Sequence, residues 1–141
     1  MVCAVCLGGL AGCSSIQELP AEQALPEKAT PEMKLCRQLL HEFLNNHPQD
    51  FVQLLPEDMR DRFDEKKFAE TRLYITETLG EPVSFQYLTT LEFVTLAPHI
   101  WKIRFRRQDK RGNTLHSEAL FRIITGRTAQ NEVAVIGFNF L

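Results

Sequence analysis

Residues 100–125 read IWKIRFRRQDKRGNTLHSEALFRIIT, and this stretch decides the fold because two runs of alternating apolar and polar residues flank a turn. The loop Asp109–Asn113 suits a three-residue hairpin connection in which Gly112 takes the left-handed backbone conformation. Pairing the two ends of this loop predicts an antiparallel register. The predicted opposite pairs are Asp109 with Asn113, Arg106 with His116, Arg104 with Glu118, Ile103 with Ala119, and Trp101 with Phe121.

This register separates the two faces of the hairpin. The face that we expect to be covered holds Trp101, Ile103, Phe105, Leu115, Ala119, Phe121 and Ile123. The opposite face holds Lys102, Arg104, Arg106, His116, Glu118 and Arg122. One apolar face and one charged face are typical of an antiparallel sheet that is packed on one side only.

Two further runs extend this hairpin to a four-stranded sheet. All four runs are rich in β-branched and aromatic residues and are separated by turn residues. In the last run we expect Phe138 and Phe140 to point inward, and Gly137 to lie where the sheet bends. The four predicted strands are Val83–Phe93, Ile100–Arg107, Leu115–Thr125 and Val133–Leu141.

The region before the strands has a helical period instead. Thr30 and Pro31 are typical of a helix start, because the hydroxyl can cap free amide groups and the ring presets the first helical residue. This first helix should end before Pro48. Its predicted inward stripe is Leu35, Cys36, Leu39, Leu40, Phe43 and Leu44.

The remaining helical signals are two short segments and one longer helix. We expect Asp50 to cap a short segment over Phe51–Leu55, and Glu57–Phe63 to form a short charged turn or helix. A third helix runs from Asp64 to Leu79, with Gly80 as a left-handed cap and with Phe68, Ala69, Leu73, Ile75 and Leu79 facing inward. Helices followed by strands predict an α+β fold with the helices on one face of an antiparallel sheet.

The composition is that of an ordinary globular domain. The chain has 141 residues, a formal net charge of −2 and 44% hydrophobic residues. These values exclude a disordered chain and a strongly basic nucleic-acid binder, so no nucleic-acid partner is expected. The sequence also lacks an apolar run of 18 residues that could span a bilayer.

The amino-terminal stretch has the character of a processing signal rather than of a structural element. Residues 1–13 read MVCAVCLGGLAGC, in which two small residues directly precede Cys13. This stretch resembles the lipobox of bacterial lipoproteins, although no Lys or Arg precedes the apolar run. The resemblance implies acylation of Cys13 and cleavage before it. Because Ser14 rather than Asp follows, it also implies an address at the outer membrane, facing the periplasm.

Processing at Cys13 would divide the chain into three parts. Residues 1–13 form the predicted signal peptide, residues 14–29 a flexible acidic stalk with two prolines, and residues 30–141 a single α+β domain. Cleavage removes Cys3 and Cys6, so Cys36 remains as the single free thiol and no intramolecular disulfide is expected.

The order of the predicted elements resembles small bacterial lipoproteins of the nuclear-transport-factor-like (cystatin-like) superfamily. The residues that carry this resemblance are Leu79-Gly80, Trp101–Phe105 and Ile136–Phe140, within a match over 31–141. The resemblance implies a curved sheet wrapped around the long helix as a cone that opens to a pocket. The superfamily includes ketosteroid isomerase and scytalone dehydratase but also domains that only bind, so the fold leaves activity open.

Three groups of residues are candidates for function. Tyr87, Trp101 and Phe121 are candidates for lining an apolar ligand pocket, or are plain core. A basic face of Lys102, Arg104, Arg106 and His116, continued by Arg107, Lys110 and Arg111, could bind an anionic envelope partner. His116 and Glu118 could form an acid–base pair, but we favour a surface charge ladder, because Arg104 should neutralise Glu118 on a solvated face.

These observations favour a lipid-anchored envelope protein whose small, non-catalytic domain binds a ligand or a protein partner. No catalytic residue, metal site or cofactor is expected, because His41, His47 and His99 lack the spacing of a metal site and phosphate-loop motifs are absent. Two alternatives stay open. The first is an acid–base enzyme that uses the pocket in the cone, and the second is a structural envelope component that forms a homodimer through its sheet.

Overall fold

Four helices precede four strands in the computed structural model, which describes residues 25–141. The helices are α1 Pro31–Leu44, α2 Pro48–Gln53, α3 Glu57–Arg60 and α4 Glu65–Leu79, and the strands are β1 Glu81–Thr90, β2 Leu96–Gln108, β3 Thr114–Arg127 and β4 Val133–Phe140. The predicted signal peptide with Cys13, and residues 14–24 of the predicted stalk, lie outside the described residues. Within 25–141, no helix is long and apolar enough to cross a membrane.

The strands form one antiparallel sheet in the order β1-β2-β3-β4. Every pair predicted for the β2–β3 hairpin is confirmed, including Trp101 opposite Phe121. Gly112 has φ +80°, as the loop requires. The Asp109 carboxylate closes the loop by accepting hydrogen bonds from Asn113, which hold the pKa of Asp109 below its usual value.

The strand pairing is irregular at three places, the first of which lies between Pro82 and Ser84 of β1. The register between β1 and β2 shifts between Tyr87 and Thr89, which leaves Leu88 without a partner. The register between β3 and β4 shifts so that Gly137 pairs with Ile124 while Ile136 is skipped. The bend predicted at Gly137 therefore lies directly beside an observed irregularity.

The helices cover the concave face of this sheet. Thr30 caps α1 as predicted, since its Oγ1 accepts a hydrogen bond of 3.2 Å from the Met33 amide. Cys36 on the inner side of α1 is fully buried, and burial raises the pKa of its thiol, so it packs as a small hydrophobic residue. The core includes Leu39, Leu40, Phe51, Phe68, Phe85, Trp101, Ile103, Phe105, Ile123 and Val135.

Some of the predicted positions were wrong. Ala69 and Leu73 of α4 are exposed, because at about 100° per residue Leu73 lies about 140° around the helix from Phe68. Leu115 is 40% exposed, because the end of the β2–β3 hairpin extends beyond the last buried residue of β2, Phe105. The short helix α2 begins at Pro48, with Asp50 in its first turn rather than at its cap.

The boundary between the predicted stalk and the domain shows one unexpected contact. Leu25 packs against the core, and the Ala29 amide donates a hydrogen bond of 3.0 Å to the Pro26 carbonyl. Core contacts thus begin five residues before the capping residue Thr30.

Candidate functional site

An apolar cavity of about 290 Å³ lies between α1, α2, α4, the middle of β3 and the end of β4. We call it the phenylalanine cavity, because seven of its eleven lining residues are phenylalanines. The complete lining is Leu40, Phe43, Phe51, Phe63, Phe68, Thr71, Ile75, Phe121, Phe138, Asn139 and Phe140.

The amphipathic patterns of the helices and strands build this cavity. The alternation of β4 turns Phe138 toward the helices, where its ring lies 5.7 Å from Phe51 and 5.1 Å from Phe63, both edge-on. The ring of Phe121 on β3 lies 4.8 Å from Phe140. Edge-on and tilted aromatic contacts give the walls a defined shape.

The chemistry of the phenylalanine cavity is that of a binding pocket. Thr71 and Asn139 are the two polar side chains of its lining, and none of the lining residues is ionisable. An apolar ligand would be held mainly by burial of its surface, and the two polar groups could set its orientation. The lining supplies no proton donor or acceptor of the kind that general acid–base catalysis requires.

A second, wider cavity of about 660 Å³ lies at the other side of α1, between its amino-terminal end, the β1–β2 connection and the end of β3. We call it the hairpin cavity. At its rim, Arg127 Nη2 and Glu32 Oε1 form an ion pair of 2.8 Å. Its lining is mixed, with apolar residues such as Met33, Phe93 and Val94 beside the polar residues Tyr87, Thr90, His99 and Thr125.

A continuous chain of hydrogen bonds crosses the wall of the hairpin cavity. Tyr87 Oη lies 2.9 Å from Thr90 Oγ1, which lies 2.8 Å from His99 Nδ1. On the other side of the imidazole, His99 Nε2 lies 2.9 Å from Thr125 Oγ1. The Thr125 hydroxyl in turn donates to the Ala97 carbonyl at 3.3 Å.

The direction of these bonds sets the tautomer of His99. Because Thr125 uses its one proton on a carbonyl, it accepts the proton of His99 Nε2–H. Nδ1 is then the acceptor for the Thr90 hydroxyl, which itself accepts from Tyr87. Burial lowers the pKa of His99, with Glu32 acting weakly in the opposite direction, so the ring is neutral near pH 7.

The sequence did not reveal this chain of hydrogen bonds. The sequence predicts a strand that begins at Ile100, after His99, whereas His99 lies within β2 and is 1% exposed. The signal that was missing is the β1–β2 register, which sets Thr90 opposite His99 across a connection too irregular for hairpin rules to predict.

The three residues considered for a pocket do not meet at one cavity. Tyr87 lines the hairpin cavity, and Phe121 lines the phenylalanine cavity. Trp101 is fully buried in the core, where its ring lies 5.7 Å from Phe85 and 5.4 Å from Tyr87. Within the described part of the chain, its indole N–H has no hydrogen-bond acceptor.

The candidate basic face lies on the outer side of the sheet. Glu118 Oε1 accepts from Arg104 Nη2 at 3.1 Å and from Lys102 Nζ at 3.3 Å. These hydrogen bonds, that from Arg104 first, hold the pKa of Glu118 below its usual value. The carboxylate is therefore engaged by the two cations, as in a charge ladder, while His116 and Arg106 lie opposite each other in exposed positions.

One group of side chains has the donor atoms of a metal site. Glu42, His47 and Asp50 place their ligand atoms within 4.8 Å of one another at the start of α2. His47 Nδ1 already forms a contact of 2.8 Å with Glu42, and His47 and Asp50 are exposed. The hydrogen bond between His47 and Glu42 accounts for this arrangement.

No protein-family model matches the sequence, and no curated protein matches it. Solved structures do match. A ketosteroid isomerase-like protein from Erwinia carotovora atroseptica is 12% identical with a TM-score of 0.54, over 74% of this chain and 88% of that one. A putative ketosteroid isomerase from Shewanella frigidimarina is 7% identical with a TM-score of 0.56, over 79% of this chain and 95% of that one.

A third match is a nuclear transport factor 2 (NTF2-like) superfamily protein from Salmonella enterica serovar Typhimurium. It is 11% identical with a TM-score of 0.53, over 77% of this chain and 85% of that one. At these identities the likeness concerns the fold. The chain therefore has the NTF2-like α+β fold, in which helices pack on an open antiparallel sheet.

Proposed function

We propose that this chain is a lipid-anchored protein of the bacterial cell envelope, attached to the outer membrane and facing the periplasm, whose domain binds a small apolar ligand in the phenylalanine cavity. The observation that carries the binding function is the composition of this cavity, in which seven phenylalanines enclose about 290 Å³. The anchor is supported by the lipobox-like residues that end at Cys13.

The size and lining of the cavity indicate the class of ligand. Pockets for small molecules commonly enclose about 300–1,000 Å³, so this one suits a small ligand such as an aromatic ring or a short acyl segment. Rings in the walls favour tilted or edge-on contacts with a flat ligand. Thr71 and Asn139 can each form a hydrogen bond with a ligand that carries one polar group.

A variant that fills the phenylalanine cavity with an additional ring tests ligand binding. With 1-aminoanthracene as a fluorescent probe, the wild-type protein should bind the probe with enhanced emission. Thr71→Phe places a ring in the cavity and should weaken binding about tenfold or more, which corresponds to at least about 1.4 kcal/mol. Thr78→Phe is the matched control, because Thr78 lies on the exposed side of the same helix. Equal binding by both variants would contradict the proposed site.

Mass spectrometry tests the anchor separately. In protein extracted from membranes of its native host, the mature chain should begin at an acylated Cys13, because the thioether requires that sulfur. The Cys13→Ser variant should stay unprocessed and unacylated. A wild-type chain intact from Met1 with a free Cys13 thiol would rule out the anchor.

A second candidate function, acid–base catalysis, is favoured by the hydrogen-bond chain from Tyr87 to His99. In this hypothesis the Tyr87 hydroxyl donates a hydrogen bond to a carbonyl oxygen of a ligand in the hairpin cavity, while the carboxylate of Glu92 in the same lining takes a proton from one carbon of the ligand and returns it to another. The test substrate is a β,γ-unsaturated ketosteroid, by analogy with the ketosteroid isomerase-like neighbours. If the wild-type protein isomerises this substrate and Tyr87→Phe does not, the result would support acid–base catalysis. If the wild-type protein does not isomerise it, catalysis is rejected and ligand binding remains the proposed function.

A further inference from the structure

We propose that the tip of the β1–β2 hairpin, residues 91–96 (LEFVTL), contacts the membrane and places its apolar side chains among the lipids. We call these residues the hairpin tip. The inference rests on the anchor at Cys13 in the proposed function, and it adds a second membrane contact to it.

The hairpin tip exposes apolar side chains that the core does not use. Val94 is fully exposed, Phe93 is 64% exposed, and Leu91 and Leu96 are 48% and 39% exposed. Single exposed hydrophobic residues are ordinary, but here four of six consecutive residues at the end of a hairpin are apolar and exposed, with Glu92 and Thr95 as the two polar residues among them. Exposed apolar patches mark a surface that is covered by a protein or by a membrane.

Two backbone hydrogen bonds fix the conformation of the hairpin tip. The Leu91 amide donates to the Pro98 carbonyl at 2.9 Å, and the Phe93 amide donates to the Leu96 carbonyl at 3.1 Å. These two bonds close the connection as a narrow loop. The backbone polar groups that they satisfy therefore need no water, which lowers the cost of placing this loop in a lipid interface.

The path of the chain toward Cys13 identifies the membrane as the occupant. Thr30, which caps α1, borders the hairpin cavity together with Phe93 and Val94. The described chain begins five residues before Thr30, at Leu25, which packs against the core and follows Cys13 by 12 positions, a span of at most about 43 Å when fully extended. The tether therefore joins the domain within five residues of Thr30, which borders the same cavity as the hairpin tip, and a tether raises the effective concentration of a weak second contact.

The opposite end of the sheet is charged rather than apolar. There the β2–β3 loop carries Asp109, Lys110 and Arg111, about 40 Å from the hairpin tip at about 3.3 Å per residue along β2. A charged end and an apolar end orient the domain relative to a membrane surface. The tether holds the apolar end of the domain close to the membrane. A second copy of the chain or another protein could bind any surface of the domain, so neither explains why the apolar residues lie at this end.

A tryptophan reporter tests the contact. The full-length acylated protein is reconstituted in vesicles of phosphatidylethanolamine and phosphatidylglycerol, with and without brominated acyl chains. Val94→Trp should show a blue-shifted emission and lose about half of it in brominated vesicles. Leu115→Trp is the matched control, because Leu115 is also exposed and lies at the charged end. The native Trp101 is fully buried, so the emission of the wild-type protein supplies the background to be subtracted from both variants, and circular dichroism checks that both are folded.

Each result of this experiment decides a separate point. Quenching of Val94→Trp but not of Leu115→Trp supports the membrane contact. Equal emission of acylated Val94→Trp in both kinds of vesicle overturns this inference and leaves the anchor in place. A mass spectrum that shows an unmodified Cys13 in the same preparation overturns the anchor and the inference that rests on it.

Discussion

His99 on β2 and Thr125 on β3 share a hydrogen bond of 2.9 Å between Nε2 and Oγ1 inside the folded domain. Both side chains are buried, with exposed fractions of 1% and 0%. Since Thr90 contacts the other ring nitrogen, each nitrogen of the imidazole has a hydroxyl partner. A buried polar group that is fully satisfied contributes to a defined structure, whereas the loss of one partner leaves the other unpaired.

Removing the hydroxyl of Thr125 should therefore destabilise the domain. Thr125→Val keeps the shape of the side chain but leaves the Nε2–H of His99 without an acceptor, at a cost of about 1–3 kcal/mol. Urea denaturation followed by Trp101 fluorescence measures this change. Thr89→Val on the exposed side of β1 is the control and should change the free energy of unfolding by less than about 0.5 kcal/mol. Equal effects would mean that the hydrogen bond is not important for stability.

The burial of His99 also predicts how stability depends on pH. Its pKa is lowered in the folded state, so the unfolded chain binds the proton more readily. Stability is then fully present above the unfolded pKa of about 6.5 and falls as the pH drops from there toward the folded pKa. Urea denaturation between pH 7.5 and pH 5, values that bracket about 6.5, should show this loss.

Two variants assign this pH dependence to a residue. His99→Gln removes the titrating group and should flatten the dependence of the free energy of unfolding on pH below about 6.5. His116→Gln is the control, because His116 is exposed, and should keep the dependence of the wild-type protein. An unchanged slope in His99→Gln would show that other groups are responsible.

Gly80 is predicted to be intolerant of any side chain. Its φ is +104°, and a Cβ there would lie 2.5 Å from the backbone oxygen of Arg106. Gly80→Ala should cost more than Gly112→Ala, since Gly112 also has a positive φ of +80° but has no neighbour within 4 Å of such a Cβ. We expect about 1–2 kcal/mol for Gly112→Ala and a larger loss for Gly80→Ala. Equal losses in thermal or urea unfolding would refute the steric explanation.

The two sides of α4 should respond differently to truncation. Ile75 is 5% exposed, and Ile75→Ala should cost about 2–5 kcal/mol because it leaves a hole beside the phenylalanine cavity. Leu73 is 60% exposed, so Leu73→Ala should stay within about 0.5 kcal/mol of the wild-type stability. A large effect of Leu73→Ala would indicate that this side of the helix is covered in solution.

Local rules were sufficient where neighbouring residues decide the structure. The β2–β3 register followed from Asp109, Gly112 and the alternation on each side, and the start of α1 followed from Thr30 and Pro31. In these cases a few adjacent residues decide most of the free-energy difference between the observed register or helix start and its competitors. The inward side of α4 was less predictable, because a weakly amphipathic helix does not specify its rotation.

The linear pattern of apolar and polar residues, with its turn and capping residues, was enough to determine an α+β chain with an antiparallel sheet and to identify the alternating faces of the central hairpin. Tertiary packing decided the rest. It closed seven phenylalanines around one cavity and brought Tyr87, Thr90, His99 and Thr125 into one hydrogen-bond chain. The walls of the cavity and the bond between His99 and Thr125 join residues that are distant along the chain, so their free energies depend on how the helices and strands pack together rather than on any local run.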